Sequence, residues 1–257
     1  MKNHWTLKNK KALVTGATRG IGKAIVEEFL ELGAEVFIVS RNQNDIDEQL
    51  KVYKNKGFKV DGMKCDVTET EERKNLLERI NSLFGGLEIL VNNAGTNTRK
   101  KTLENTEEDF DKLMNLNLKS AFELCKMFYL LLKSSGDGSI VNIVSVAGFT
   151  SVGTGSPYAV SKAAMIHFTR YLAVEWAKDS IRVNAVAPWY IRTSLTEPVL
   201  SDPEKLKLIL SRTPLNRIGD PAEIATVAAF LSMPAASYVT GECIAVDGGF
   251  LKFGFGV

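Results

Sequence analysis

Lys11-Ala12-Leu13-Val14-Thr15-Gly16-Ala17-Thr18-Arg19-Gly20-Ile21-Gly22 decides the fold. Its first five residues form a short apolar run that reads as a strand. Gly16, Gly20 and Gly22 follow, and then Ile25, Val26, Phe29, Leu30 and Leu32 recur at helical spacing. Gly33 stops that helix as a C-terminal glycine does, and Glu35–Ser40 supplies a second strand. Strand, glycine turn, helix and strand make a βαβ unit of about 30 residues. The glycines meet three physical needs: the turn is tight, the backbone must approach a phosphate, and the helix must lie near the strand. The helix N-terminus then offers unpaired N–H groups and the positive end of its dipole to a pyrophosphate. The stretch therefore reads as a dinucleotide-binding turn, with Gly16, Thr18, Arg19, Gly20, Ile21 and Gly22 against the cofactor.

The alternation continues outward. Helices are expected over 42–56, 69–84, 106–133, 158–178 and 221–231. Strands are expected over 59–64, 87–91, 139–144, 181–187 and 243–246. This predicts an α/β fold, a Rossmann-type doubly wound parallel sheet of about seven strands with helices on both faces. No repeat or linker interrupts the chain, so residues 1–257 read as one domain. The stretch 189–220 carries three prolines and reads as a lid with a short helix or two over a substrate pocket.

Composition narrows the function. The chain has 257 residues, 45% of them hydrophobic, enough for a sizeable core, and a formal charge of only +2. That balance argues against nucleic acid and against a membrane surface as partners. The short basic clusters Lys8-Asn9-Lys10-Lys11 and Arg99-Lys100-Lys101 read as solvated surface. Residues 1–11 are polar and lack the apolar core of a signal peptide, and no apolar run reaches the length of a membrane span. Three separated cysteines (Cys65, Cys125, Cys243) without metal-ligand spacing suit reduced thiols in a cytoplasmic protein. The two histidines, His4 and His167, suggest no metal site, and His167 reads as a packing or interface residue.

Two further patterns carry chemistry. Tyr158 and Lys162 are four apart on a helix that opens at Pro157, so they share one face about 6 Å apart along the axis. A phenol near a cation is an acid/base pair, because the cation favours phenolate and can lower a pKa near 10 by ~1–3 units. At the end of the second strand the sequence reads Val39-Ser40-Arg41-Asn42. The acid that would bind the ribose 2′-hydroxyl of NAD is missing. Ser40 is small, and Arg41, helped by Arg19, suits the 2′-phosphate of NADP. Farther on, Asn92-Asn93-Ala94-Gly95 falls at the carboxyl end of the fourth strand, where open α/β sheets bind ligands. The Asn side chains can fix the strand ends, Ala94 and Gly95 leave room for the adenosine ribose, and Asn93 is counted with them among the cofactor contacts.

Thr15-Gly-x-x-x-Gly-x-Gly, Asn-Asn-Ala-Gly at 92–95, and Ser145 followed thirteen residues later by Tyr158-x-x-x-Lys162 resemble the classical short-chain dehydrogenase/reductase family. Pro188-Trp189-Tyr190-Ile191, Glu175-Trp176-Ala177-Lys178 and Pro234 to Gly241 are similar to its tropinone reductase-like branch. The resemblance covers nearly the whole chain and implies the strand order 3-2-1-4-5-6-7. It implies Asn117, Ser145, Tyr158 and Lys162 as the catalytic residues. Ser145 and Tyr158 would hold a carbonyl oxygen, Tyr158 would give the proton, Lys162 would bind the nicotinamide ribose and lower the Tyr158 pKa, and Asn117 would anchor a water through a backbone bend. It adds Asp66 (which could equally cap a helix), Val67, Pro188, Trp189, Ile191 and Thr193 to the NADP(H) contacts. Trp189 replaces the glycine common at that place. Phe149, Thr150, Val152, Trp189, Tyr190 and Leu195 are expected around the substrate pocket.

The implied activity is an NADPH-dependent ketone reductase, reversible as an alcohol dehydrogenase, with a small-molecule ketone or alcohol as partner. A homo-oligomer, tetramer or dimer, is expected, with the apolar tail from Phe250 to Val257 at a subunit contact. The alternatives are a 3-oxoacyl-carrier-protein reductase, a sugar or polyol dehydrogenase, and a non-catalytic NADP(H) sensor.

Overall fold

Strand faces alternate, and the two halves of the core follow from that alternation. In the computed structural model, which describes residues 3–254, β1 (Lys11–Thr15) sends Ala12 and Val14 to one face and Leu13 to the other. β2 (Glu35–Ser40) does the same with Val36 and Ile38 against Phe37 and Val39. With β3 (Val60–Lys64), β4 (Ile89–Asn92), β5 (Gly138–Ile143), β6 (Ile181–Pro188) and β7 (Cys243–Val246) they form one parallel sheet in the order β3-β2-β1-β4-β5-β6-β7. Strands buried on both faces need apolar residues at nearly every position, which is why β1, β2 and β4 read as continuous apolar runs.

α1 (Gly20–Glu31), α2 (Gln43–Asn55) and α9 (Pro221–Ser232) cover the first face. Ile25, Val26, Phe29 and Leu30 of α1 belong to one buried cluster with Ile224, Ala225, Ala228 and Ala229 of α9. α3 (Thr70–Phe84), α5 (Ser120–Ser134) and α6 (Ser156–Glu175) cover the second, through Leu76 and Ile80, Leu124 and Phe128, and Leu172. A buried polar chain crosses that face. Asn92 Nδ2 donates to Asn142 Oδ1 (2.9 Å), and Asn142 Nδ2 donates to Thr169 Oγ1 (2.9 Å), tying β4 and β5 to α6.

The long helix expected over 106–133 is present with a defect. A capping box of Thr106 and Asp109 opens α4 (Glu107–Met114), a π-turn occupies Asn115–Lys119, and α5 continues. The 189–220 stretch holds two short helices, α7 (Glu197–Leu200) and α8 (Pro203–Ser211). Its two ends are clipped together, Gly219 N–H donating to the Tyr190 carbonyl (3.1 Å) and Arg192 N–H to the Gly219 carbonyl (2.9 Å). The end of the apolar tail, 255–257, lies outside the described residues. None of the described helices is long and apolar enough to cross a membrane.

Candidate active site

The strand order reverses between β1 and β4, and the carboxyl ends of both strands open onto one cleft of about 580 Å³. Asn93 knits that end together. Its Nδ2 donates to the carbonyls of Thr15 (2.9 Å) and Gly16 (3.0 Å), while Thr15 Oγ1 accepts from the N–H groups of Asn93 (3.0 Å) and Ala94 (3.1 Å). Gly22 has no room for a side chain, since a Cβ there would stand 2.1 Å from the Gly16 carbonyl oxygen. Gly16 and Gly20 hold φ of +62° and +54°, which only glycine adopts freely. Arg19 begins α1 with an extended backbone and no side-chain cap, so the first N–H groups of the helix remain available beside the cleft. A phosphate-bearing group fits this cradle on geometry and on charge.

Ser40, Arg41 and Arg19 line the cleft beside that cradle. Ser40 Oγ accepts from Thr18 Oγ1 (3.3 Å) and from Asn42 N–H (3.2 Å). Among the described residues, no acid stands within 4.0 Å of either arginine's guanidinium. Asn42 and Asp45 line the same rim and were not foreseen. They lie at the cap and first turn of α2, where polar residues are ordinary, so nothing in the sequence marked them.

Ser145, Tyr158 and Lys162 line the same cleft, as do Val67, Asn93, Ala94, Gly95, Pro188, Trp189, Ile191, Thr193 and Leu195. Ser145 Oγ accepts from Ala147 N–H (3.1 Å), which leaves its proton free to donate. Lys162 is buried, and its Nζ donates to the Ile143 carbonyl (2.9 Å). The same Nζ lies 5.7 Å from the centre of the Tyr158 ring. Asn117 is buried in the π-turn. Its Oδ1 accepts from Thr96 N–H (2.9 Å), and its Nδ2 donates to the Thr96 carbonyl (3.0 Å) and to Ser161 Oγ (3.2 Å). The side chain is thereby spent on fixing the Thr96 loop, and Thr96 and Leu116 line the cleft as well.

Six expected residues do not line the cleft: Asp66, Asn117, Phe149, Thr150, Val152 and Tyr190. Asp66 Oδ1 accepts from the N–H and hydroxyl of Thr68 (3.0 and 2.8 Å), a local turn, while its neighbours Cys65 and Val67 face inward. Tyr190 is half-buried and packs edge-on against Trp189 at 4.6 Å.

A family model described as enoyl-(acyl carrier protein) reductase, from the short-chain dehydrogenases and reductases, matches residues 16–251. The chain belongs to the short-chain dehydrogenase/reductase family. It is 50% identical over 252 residues to a tropinone reductase homolog of Arabidopsis thaliana, covering 98% of this chain and 96% of the relative. It is 48% identical over 255 residues to a tropinone reductase homolog of Datura stramonium, covering 98% and 95%. Among solved structures it is similar to a gluconate 5-dehydrogenase of Burkholderia cenocepacia in complex with NADP and tartrate. That match has a TM-score of 0.94 and 30% identity, over 97% of this chain and 98% of the other.

Two features of this short-chain dehydrogenase/reductase depart from expectation. Lys162 does not hold the Tyr158 pKa down. Burial raises it, more than the Ser145 hydroxyl and the Arg99 charge lower it, and the negative charge Tyr190 can carry raises it further. The Lys162 ammonium is engaged by the Ile143 carbonyl and lies over the Tyr158 ring, 5.7 Å from its centre. Burial also makes Lys162 easier to deprotonate, bringing its own pKa down to about 8. At Trp189, where a glycine is common, the indole is pinned. Its Nε1 donates to Thr213 Oγ1 (3.0 Å), and its ring stacks on Phe250 at 3.8 Å.

Proposed function

We propose that this chain is an NADPH-dependent carbonyl reductase, reversible as an alcohol dehydrogenase. The observation that carries the reading is that Ser145, Tyr158 and Lys162 line the same cleft as a phosphate cradle rimmed by Arg19 and Arg41. When bound, the reduced nicotinamide supplies the hydride. Ser145 and Tyr158 hold the carbonyl oxygen, and the Tyr158 hydroxyl gives it the proton. A phenol kept protonated by burial suits the reducing direction, since it arrives carrying the proton it must donate. Lys162 is placed to bind the nicotinamide ribose. The π-turn at Asn115–Lys119 disturbs the regular carbonyl pairing of the helix, and a backbone carbonyl released there anchors the water that restores the proton.

Arg19 and Arg41, free of acid partners among the described residues, favour NADPH over NADH, and the NADP-bound relative supports the same choice. That relative's name also favours a second reading, a dehydrogenase of sugar acids. The carrier-protein reductase reading is weakened because Lys100 is tied to Asp109 and Arg99 to the Leu195 carbonyl (2.8 Å), leaving little of that cluster for docking. A non-catalytic sensor has no use for all four catalytic residues. The free thiols Cys65, Cys125 and Cys243 support a reducing compartment, in keeping with a cytoplasmic enzyme, and the exposed apolar groove suits a homo-oligomer. A ketone panel with NADPH and NADH side by side tests the activity. NADPH should be the better donor, and Tyr158→Phe should lose roughly 10²–10⁴ of kcat while still binding NADPH. A fully active variant would overturn the assignment of the acid.

A further inference from the structure

Arg99 stands on the loop between β4 and α4 with φ +52°, a left-handed backbone unusual for its residue type. Its N–H donates to Asn97 Oδ1 (3.1 Å), and Asn97 Nδ2 donates to the Thr154 carbonyl (2.9 Å), just ahead of the Tyr158 helix. The side chain then crosses to the lid, where Nη2 donates to the carbonyl of Leu195 (2.8 Å), a residue of the cleft wall. Nε is buried without a hydrogen-bond partner. No carboxylate among the described residues lies within 4.0 Å of this guanidinium, although its neighbour Lys100 has one in Asp109.

The position of the charge matters. Arg99 is close enough to Tyr158 and to Tyr190 to favour the phenolate of both, and Lys205 adds to that field at Tyr190. A half-buried cation thus stands one hydrogen bond behind the cleft wall at Leu195 and acts on the field at Tyr158. A buried N–H without a partner is costly, and an ionised acceptor is the group that satisfies a guanidinium best. The same charge opposes an ammonium placed in the same space.

We infer that Arg99 selects substrate charge, and that the preferred substrates are ketones and alcohols carrying a carboxylate or similar anion near the reacting carbon, with cationic amino ketones disfavoured. The inference rests on the carbonyl-reductase reading of this cleft. It is tested with acetoacetate and levulinate, their methyl esters, and dimethylamino ketones of matching length, assayed with NADPH on wild type, Arg99→Ala and Arg99→Lys. The ratio of kcat/KM for keto acid over ester should fall about tenfold to a hundredfold in Arg99→Ala, with Arg99→Lys in between, and the amino ketone should gain on the ester. An unchanged ratio, or an equal loss on all three classes, makes Arg99 only a latch for the lid and overturns the inference. If no ketone is reduced, the reductase reading fails, and calorimetry of levulinate on the NADPH complex decides the charge question separately. Binding should then weaken about tenfold in Arg99→Ala; absent or unchanged binding overturns it.

Discussion

Lys162 shows how a single residue trades stability for chemistry. Its ammonium is buried, with one carbonyl as partner and, among the described residues, no carboxylate within 4.0 Å, so burial lowers its pKa from 10.5 to about 8. The folded state therefore releases the proton more readily than the unfolded state. Below about pH 8 both states are protonated and folding carries the full penalty, of order 3 kcal/mol. Between about pH 8 and 10.5 the penalty fades, because the folded state is already neutral. Lys162→Met should therefore raise the urea midpoint at pH 7 by an amount equivalent to ~1–3 kcal/mol, and the gain should shrink at pH 9.5. An equal gain at both pH values would show that packing, and not charge, is responsible. The spacing Tyr158-x-x-x-Lys162 put the two residues on one helical face, and they are there. That the ammonium would aim at the Ile143 carbonyl was not legible, because it depends on where β5 ends relative to α6.

At the scale of elements, the glycine turn and α1 depend on one close approach. Gly22→Ala places a methyl against the Gly16 carbonyl and Asn93 Nδ2, neither of which can retreat without opening the turn. Thermal unfolding should move down by roughly 5–10 °C, as expected for about 3 kcal/mol of overpacking, and NADPH binding should be lost. Gly86→Ala is the control. Nothing lies within 4 Å of its Cβ position, and it should leave the midpoint unchanged or slightly higher. Element order was readable because both layers repeat a simple pattern: apolar strands, helices at 3.6 spacing, and glycine stops at Gly33, Gly57 and Gly85. The π-turn was only half readable. A bend at Asn117 follows from the resemblance, but the extra residue that makes it leaves no mark in the apolar spacing of a helix that continues on both sides. Asp66 misled for a related reason, since an Asp after a strand serves a local turn as readily as a ligand.

For the whole molecule, the surface groove between α4, α5 and α6 is the feature a second copy would cover. Phe122 and Phe168 pack at 5.5 Å on its floor, and Phe122 and Tyr171 stay exposed. Light scattering should find an oligomer in wild type and a smaller species in Phe122→Glu/Tyr171→Glu, because a buried carboxylate pair opposes association. A wild-type monomer would remove this role from the groove. The layers were legible in the chain because the βαβ unit repeats, whereas the strand order followed from the family resemblance. The cleft's outer wall was less so. Trp189 is positioned by Thr213 and Phe250, which are distant in sequence and carry no motif.

The packing of α1 on α9 has a consequence for how the chain is made. Ile25, Val26, Phe29 and Leu30 leave the ribosome early, whereas Ile224, Ala225, Ala228 and Ala229 emerge only near the end of synthesis. Until then the cofactor-binding half keeps an apolar helix face in water. A nascent chain stalled before residue 221 would hold its nucleotide turn nearly complete and still be a substrate for chaperones.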